Sequence, residues 1–307
     1  MNKGVIPSPQ KVDFSNERVF YHLLMDLKSL FKAPVLVANV LPVFTGFWLA
    51  LYFTGASLAG SIGLFFLTMF GSILVMAGAL VINNWYDVDI DSVMERTKKR
   101  PTVTGTISLR VVLTLGIIFT VLGFILLLFT TMEAVIYAFV GWVSYVILYT
   151  MWSKRRYTLN TVIGSVSGAV SPLIGWTAIT SGFHTVPMMM FLILFIWQMP
   201  HTFAIAMRKC NEYKRAGVAI VPVVYGFKMA KRLIAVYVVC LLPLPFYLGS
   251  LGVPFIIIAT ILNILWIGAT IWGFFVKNDL KWARVIFLYS VNYITILFVL
   301  MIIVTAR

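Results

Sequence analysis

The stretch Asn83-Asn84-Trp85-Tyr86-Asp87-Val88-Asp89-Ile90-Asp91 gathers three of the ten carboxylates in a 307-residue chain. If it is helical, Asn83, Asp87 and Asp91 stand at i, i+4 and i+8 and share one face, with about 6 Å of axial rise between neighbours. Two carboxylates and an amide oxygen on one face make an oxygen-rich site for a hard cation. Mg²⁺ suits it, because that ion takes one or two carboxylates plus substrate phosphates and keeps some waters. Arg96 and Arg100, again four apart, follow in the run Met94-Glu95-Arg96-Thr97-Lys98-Lys99-Arg100-Pro101, and guanidinium groups bind phosphate oxygens two at a time. A diphosphate held by metal on one side and guanidinium on the other is the chemistry these residues describe, with Asp87, Asp91, Arg96 and Arg100 as its catalytic set. The plainer account is a helix end capped by acids before a basic run. It is the weaker of the two, since acids at a helix C-terminus oppose the dipole.

A second polar stretch reads Arg208-Lys209-Cys210-Asn211-Glu212-Tyr213-Lys214-Arg215-Ala216-Gly217. It offers Lys209 and Tyr213 as substrate contacts and Glu212 as a further metal ligand. By itself it reads equally well as a solvated basic loop. Its weight comes from lying on the same side of the molecule as the first motif.

The elements that must position these residues are set by solvent. Apolar residues make up 61% of the chain and charged residues 11%, against roughly 45–50% and 25% in soluble domains. That much apolar surface cannot be hidden from water, and a spanning helix needs about 20 mainly apolar residues. The fold class is therefore an all-α polytopic membrane bundle. Nine spans are expected near 34–53, 60–82, 109–130, 134–152, 160–180, 187–207, 233–250, 253–276 and 285–305. Residues 1–33 form a polar N-terminal segment with no signal-peptide core, and 34–307 a single transmembrane domain. With the N-terminus inside, the inner segments hold 23 of the 24 basic residues, Arg307 being the exception. This split puts the N-terminus and both polar loops in the cytoplasm, and the C-terminus outside the cell membrane. The net charge of +14 is then topology and attraction to anionic lipid, not a nucleic-acid signature. Acids contribute little to topology, yet nine of the ten lie on that same face, which asks for another reason. Cys210 and Cys240 have neither disulfide nor zinc spacing and read as two reduced thiols. The small residues of Ile163-Gly164-Ser165-Val166-Ser167-Gly168 suit close helix packing.

The Asn83-x-x-x-Asp87-x-x-x-Asp91 pattern resembles the first metal motif of the UbiA-type intramembrane prenyltransferases. Within that superfamily, four stretches look like the haem O synthases (protohaem farnesyltransferases). They are the first motif running to Pro101, Tyr149-Thr150-Met151-Trp152-Ser153-Lys154-Arg155-Arg156, Asn160 through Trp176, and Trp197-Gln198-Met199-Pro200-His201. The likeness runs from about residue 30 to the end. It implies nine helices around a central cavity beneath a cytoplasmic cap, and transfer of farnesyl from farnesyl diphosphate to a vinyl group of haem B. Water adds in the same reaction, giving haem O and diphosphate with Mg²⁺ as cofactor. The bilayer and a haem A synthase that takes the product are the further partners implied. On the same grounds Lys154 and Arg155 join Asn83, Lys209 and Tyr213 as substrate contacts. Two departures stand out. The usual adjacent acid pair of the second motif is Asn211-Glu212 here, so a second metal would have one fewer carboxylate. A Pro-Pro pair is Ser171-Pro172.

Loss of diphosphate from an allylic carbon leaves a cation that needs a dry pocket with aromatic faces. Trp85, Tyr86, Tyr145, Tyr149 and Trp152 lie at the required depth, with Tyr149 and Trp152 the chosen candidates. His201 is an ionisable group inside a span and so a functional candidate. Iron ligation and a hydrogen bond to a propionate or to the trapping water both remain open. His22 and His184 are peripheral and are given no role. Two rivals stand beside this reading. One is a prenyltransferase acting on a quinone precursor or another tetrapyrrole, decided by the Trp197–His201 stretch. The other is a secondary transporter, disfavoured because transporter sites lie near the midplane on broken helices, whereas these charges lie at the membrane boundary.

Overall fold

The structure is a computed structural model and describes residues 24–306. His22, Arg307 and most of the segment 1–33 lie outside the described residues. Among the described residues every regular element is a helix, with no strand.

Eight helices are long and apolar enough to cross a membrane: α1 (Ala33–Thr54), α2 (Ile62–Tyr86), α5 (Leu109–Leu128), α6 (Met132–Ser153), α9 (Thr185–Arg208), α12 (Gly226–Leu251), α13 (Val253–Trp272) and α14 (Asp279–Thr305). Between them lie the short helices α3 (Val88–Val93), α4 (Pro101–Thr104), α7 (Asn160–Ala169), α8 (Ser171–Thr177), α10 (Cys210–Arg215) and α11 (Val221–Val224). The chain is a multi-pass membrane protein. The stretch 160–180, expected as a ninth span, forms α7 and α8, of ten and seven residues, neither long enough alone to cross a membrane. Nine single spanning helices are therefore not found among the described residues. Pro172 at the start of α8 has no N–H to give the Gly168 carbonyl, which interrupts the ladder of a helix that would otherwise run on.

Small residues bring the helices close. A Cβ on Gly78 of α2 would lie 2.3 Å from Thr120 Oγ1 of α5, and one on Gly123 of α5 would lie 2.6 Å from the Val75 nitrogen. The α1–α8 contact is tighter still: a Cβ on Gly175 would meet the Val43 carbonyl oxygen at 1.9 Å, and one on Gly46 the Pro172 oxygen at 2.1 Å. Without a hydrophobic drive between helices in lipid, such backbone approach is what van der Waals packing requires. The Gly/Ser run of α7 works in the same way: Gly164 abuts the Tyr149 ring and Gly168 the Gln198 amide.

A π-helical segment and two long connections shape the interior. The last ten residues of α6, Ser144–Ser153, are π-helical, with Lys154 N–H donating to Tyr149 O at 3.0 Å. The connections after α2 and α9 carry α3–α4 and α10–α11, and they meet in one apolar cluster of Ile90 and Met94 against Ala206, Val218, Ile220 and Tyr213. These two loops form a cap over a cavity.

Candidate active site

The α2 ladder does not run straight through the acidic motif. Asp87 caps α2 with φ −92° and ψ 17°, and α3 begins at Val88. The i to i+4 bonds nevertheless persist, Asp87 N to Asn83 O at 3.0 Å and Asp91 N to Asp87 O at 2.8 Å. The expected common face therefore survives the break, and Asn83, Asp87 and Asp91 line one cavity of about 530 Å³. All three are buried, Asp87 to 1% exposure. Arg96 and Arg100 line the same cavity, but on turns over 94–100 instead of a helix. Arg100 precedes Pro101, which drives it to extended backbone, φ −66° and ψ 146°, and ends any helix there.

Each carboxylate has a cationic partner. Lys154 Nζ pairs with Asp87 Oδ2 and Arg100 Nη1 with Asp91 Oδ2. Arg100 also donates to Asn84 Oδ1 at 2.9 Å. The Asn83 amide donates to Asp87 Oδ2 at 2.7 Å and to Thr150 Oγ1 at 2.9 Å. Asp87 Oδ1 is buried and accepts no hydrogen bond from the described residues, and it faces Arg155 Nη2 at 3.9 Å. Arg155 itself holds Asp89 through two bonds of 2.5 and 2.7 Å. This pair keeps the Asp89 carboxyl below the usual carboxylate range and the guanidinium above its own.

The π-helical turn carries Tyr145, Tyr149 and Lys154 into the cavity wall. Such insertions recur at functional sites. The Tyr145 and Tyr149 rings lie 5.7 Å apart, and Lys154 Nζ stands 5.8 Å from the Tyr149 ring centre. Tyr213 reaches the cavity from α10, where burial pushes its phenol up. An apolar cleft between α1, α2, α6 and α7, lined by Ser72, Met76, Leu80 and Trp142 among others, shares Val35 and Tyr145 with the cavity wall.

Other candidates stand apart from this cavity. Lys209 pairs with Glu212 at 2.7 Å, and Glu212 Oε2 is buried without a hydrogen bond. Trp152 is 43% exposed and packs on Tyr157. His201 lies at the α9–α14 contact. Its Nδ1 is 2.8 Å from Ser290 Oγ, and its ring stacks on Trp197 and tilts against Phe287.

The sequence reading passed over one residue of the wall, Lys32, and over Asn84, which bonds to Arg100 of that wall. Lys32 Nζ donates to Asn83 Oδ1, and its ammonium is pushed well below the ordinary lysine range by burial and by Arg100. Asn84 donates to Leu30 O at 2.6 Å, tying the approach to α1 to the acidic motif. The signal for Lys32 was its closeness to the first span, which the topological charge bias absorbed. Asn84 adjoins Asn83 off the i, i+4 spacing.

For a hard cation the donor set fits. Asp87 Oδ1 is an orphaned buried oxygen, and the Asp91 carboxylate and Asn83 Oδ1 line the same cavity. No three His, Cys, Asp or Glu side chains converge on one point as a metal-holding group among the described residues, so the remaining ligands would have to be water or substrate oxygen.

The model of the UbiA prenyltransferase family matches residues 39–291. The chain belongs to the UbiA prenyltransferase family. It is 56% identical over 280 residues to a protoheme IX farnesyltransferase of Geobacillus sp. (strain WCH70), covering 91% of each chain. It is 53% identical over 291 residues to the protoheme IX farnesyltransferase of Oceanobacillus iheyensis, covering 94% of this chain and 93% of that one. Among solved structures, digeranylgeranylglyceryl phosphate synthase has a TM-score of 0.72 at 22% identity, covering 92% of this chain and 98% of that one. A UbiA homologue of Archaeoglobus fulgidus bound to DMAPP and Mg²⁺ has a TM-score of 0.66 at 17% identity, covering 88% and 99%. At these identities the structures speak for the fold alone.

Proposed function

We propose that this enzyme transfers farnesyl from farnesyl diphosphate to a vinyl group of haem B, acting as a protohaem IX farnesyltransferase. The observation that carries the reading is the buried Asn83–Asp87–Asp91 face within a wall of Arg96, Arg100 and Lys154, in a chain more than half identical to relatives of that name. A quinone precursor as acceptor has no comparable support.

In this account Arg96, Arg100 and Lys154 bind the diphosphate oxygens. Their fixed charges stabilise the leaving group where its charge develops, without reorganising. Asn83, Asp87 and Asp91 would hold Mg²⁺, which would supply Lewis-acid neutralisation of the same group. The allylic C–O bond breaks, and the Tyr145 and Tyr149 faces border the carbon chain. The apolar cleft along Met76, Leu80 and Trp142 accepts the isoprenoid tail. The terminal vinyl carbon forms the new C–C bond, water adds to the neighbouring carbon, and one proton leaves. His201, stacked on Trp197, contacts the haem by iron ligation or through a propionate. Lys209 and Glu212 serve as a paired strut of the cap, with Arg155 and Trp152 at its rim.

The domain from 34 to 307 acts as one unit, with the segment 1–33 and the cap loops cytoplasmic and the C-terminus outside the cell membrane. The product then passes to an enzyme that oxidises haem O, a haem A synthase. Purified protein in detergent, incubated with haem B, farnesyl diphosphate and Mg²⁺, should yield haem O by mass spectrometry. Turnover of farnesyl diphosphate only with another acceptor would overturn the assignment.

A further inference from the structure

Lys32 precedes α1 with φ 46° and ψ 50°, and among the described residues it is the sole non-glycine with positive φ. A left-handed backbone is costly for an L side chain, and such strain persists where the surroundings over-determine it, often at ligand clamps. Here they do. Leu30 is fully buried against Val81 and Val112, and its carbonyl is held by Asn84 at 2.6 Å. That amide in turn accepts from Arg100. The chain is thereby pinned to the acidic motif two residues before Lys32, and the left-handed turn sends its ammonium into the cavity.

Charge in the cavity is unbalanced. Lys28, Lys32, Arg96, Arg100 and Lys154 line it against Asp87 and Asp91. The two carboxylates are engaged by Lys154 and Arg100, whereas the hydrogen bond of Lys32 goes to the amide oxygen of Asn83. A polyanion is the missing partner, and Lys32 can turn to it without breaking an ion pair of its own.

We propose that Lys32 is a further diphosphate-binding residue, resting on Asn83 and turning to phosphate oxygens when substrate enters. The move also releases Asn83 Oδ1 for a cation, so that anion and metal enter together. This deepens the prenyl-diphosphate reading of the cavity and rests on it.

The test is calorimetric binding of inorganic pyrophosphate with Mg²⁺ to the full chain in nanodiscs, comparing wild type with Lys32→Gly, Lys32→Met and Lys32→Arg. Glycine is the informative choice, because it suits a left-handed backbone and so should unfold no earlier than wild type while lacking the ammonium. Both uncharged variants should bind pyrophosphate roughly tenfold to a hundredfold more weakly, the range for a lost hydrogen bond to a charged group. Haem affinity should not change, and Lys32→Arg should recover most of the loss. Wild-type pyrophosphate affinity in Lys32→Gly and Lys32→Met overturns the proposal and leaves the cavity reading standing. So does a joint fall in thermal stability and in both affinities that arginine does not rescue, which would make Lys32 a structural peg. Failure of wild type itself to bind pyrophosphate overturns the cavity reading as well.

Discussion

Asp87→Asn keeps the shape of the side chain and removes one charge from the centre of the site. Asp87 is 1% exposed and pairs with Lys154, whose side chain is 11% exposed. Its Oδ1 is the orphaned oxygen best placed for a cation. Two costs follow, and they are separable. The first falls on catalysis. Losing one preorganised electrostatic group costs roughly a hundredfold to a thousandfold in rate, about 2.7–4 kcal/mol, so haem O formation should drop at least that far. The second falls on stability, because Lys154 loses its carboxylate. Stripping one partner from a fully buried pair costs about 3–5 kcal/mol. The adjoining cavity of about 530 Å³ admits water, so the loss should sit nearer the ~1–3 kcal/mol of an underpartnered buried group. Asp87→Asn/Lys154→Gln should recover that stability and none of the turnover. The assay pairs mass spectrometry of haem O with thermal unfolding in detergent. Near-normal turnover in the single variant would refute the metal-site reasoning. Recovery of turnover along with stability in the double variant would reduce Asp87 to a counter-ion.

For topology, Phe183→Cys, at a position 90% exposed, should react with an impermeant thiol reagent on intact cells lacking Cys210 and Cys240, and Lys98→Cys should not. The reverse pattern would invert the assigned orientation. His201→Ala should weaken haem B binding by ~1.5–3 kcal/mol, roughly tenfold to a hundredfold, and leave farnesyl diphosphate binding unchanged. Separate titrations of the two substrates check this, and unaltered haem affinity at normal stability would reopen the question of the acceptor. Gly175→Ala puts a Cβ 1.9 Å from the Val43 oxygen, so it should destabilise by about 1–3 kcal/mol. An unshifted melting transition would count against the close α1–α8 contact.

What the sequence made legible depended on how local each signal was. The spans are long apolar runs, and eight appear as helices long enough to cross a membrane. The run over 160–180 satisfied the same measure, but hydropathy is blind to the missing N–H of Pro172, which divides it. The acidic face was legible because i, i+4 spacing outlasts the change from α2 to α3. Arg96 and Arg100 were read as phosphate binders on helical spacing, and the structure brings them to the cavity wall on turns over 94–100 instead. The juxtaposition of the two cap loops rests on Ile90 and Met94 meeting Val218 and Ile220, contacts over a hundred residues apart that no periodicity encodes. Lys32 was hidden by having a second sufficient explanation, since a lysine beside a first span is what orientation in a membrane already demands.

The π-helical end of α6 bears on how such a gene can change. An α-helix advances about 100° per residue, and a π segment absorbs a surplus residue without turning what lies before it. Losing one codon from 144–153 would relax the segment to ordinary helix and swing Tyr149 or Lys154 about a quarter-turn away from Asp87. Elsewhere along a lipid-facing helix an indel mostly redistributes interchangeable aliphatic side chains. Within this short stretch, length itself is under constraint, and substitutions should be tolerated there more readily than any change in residue count.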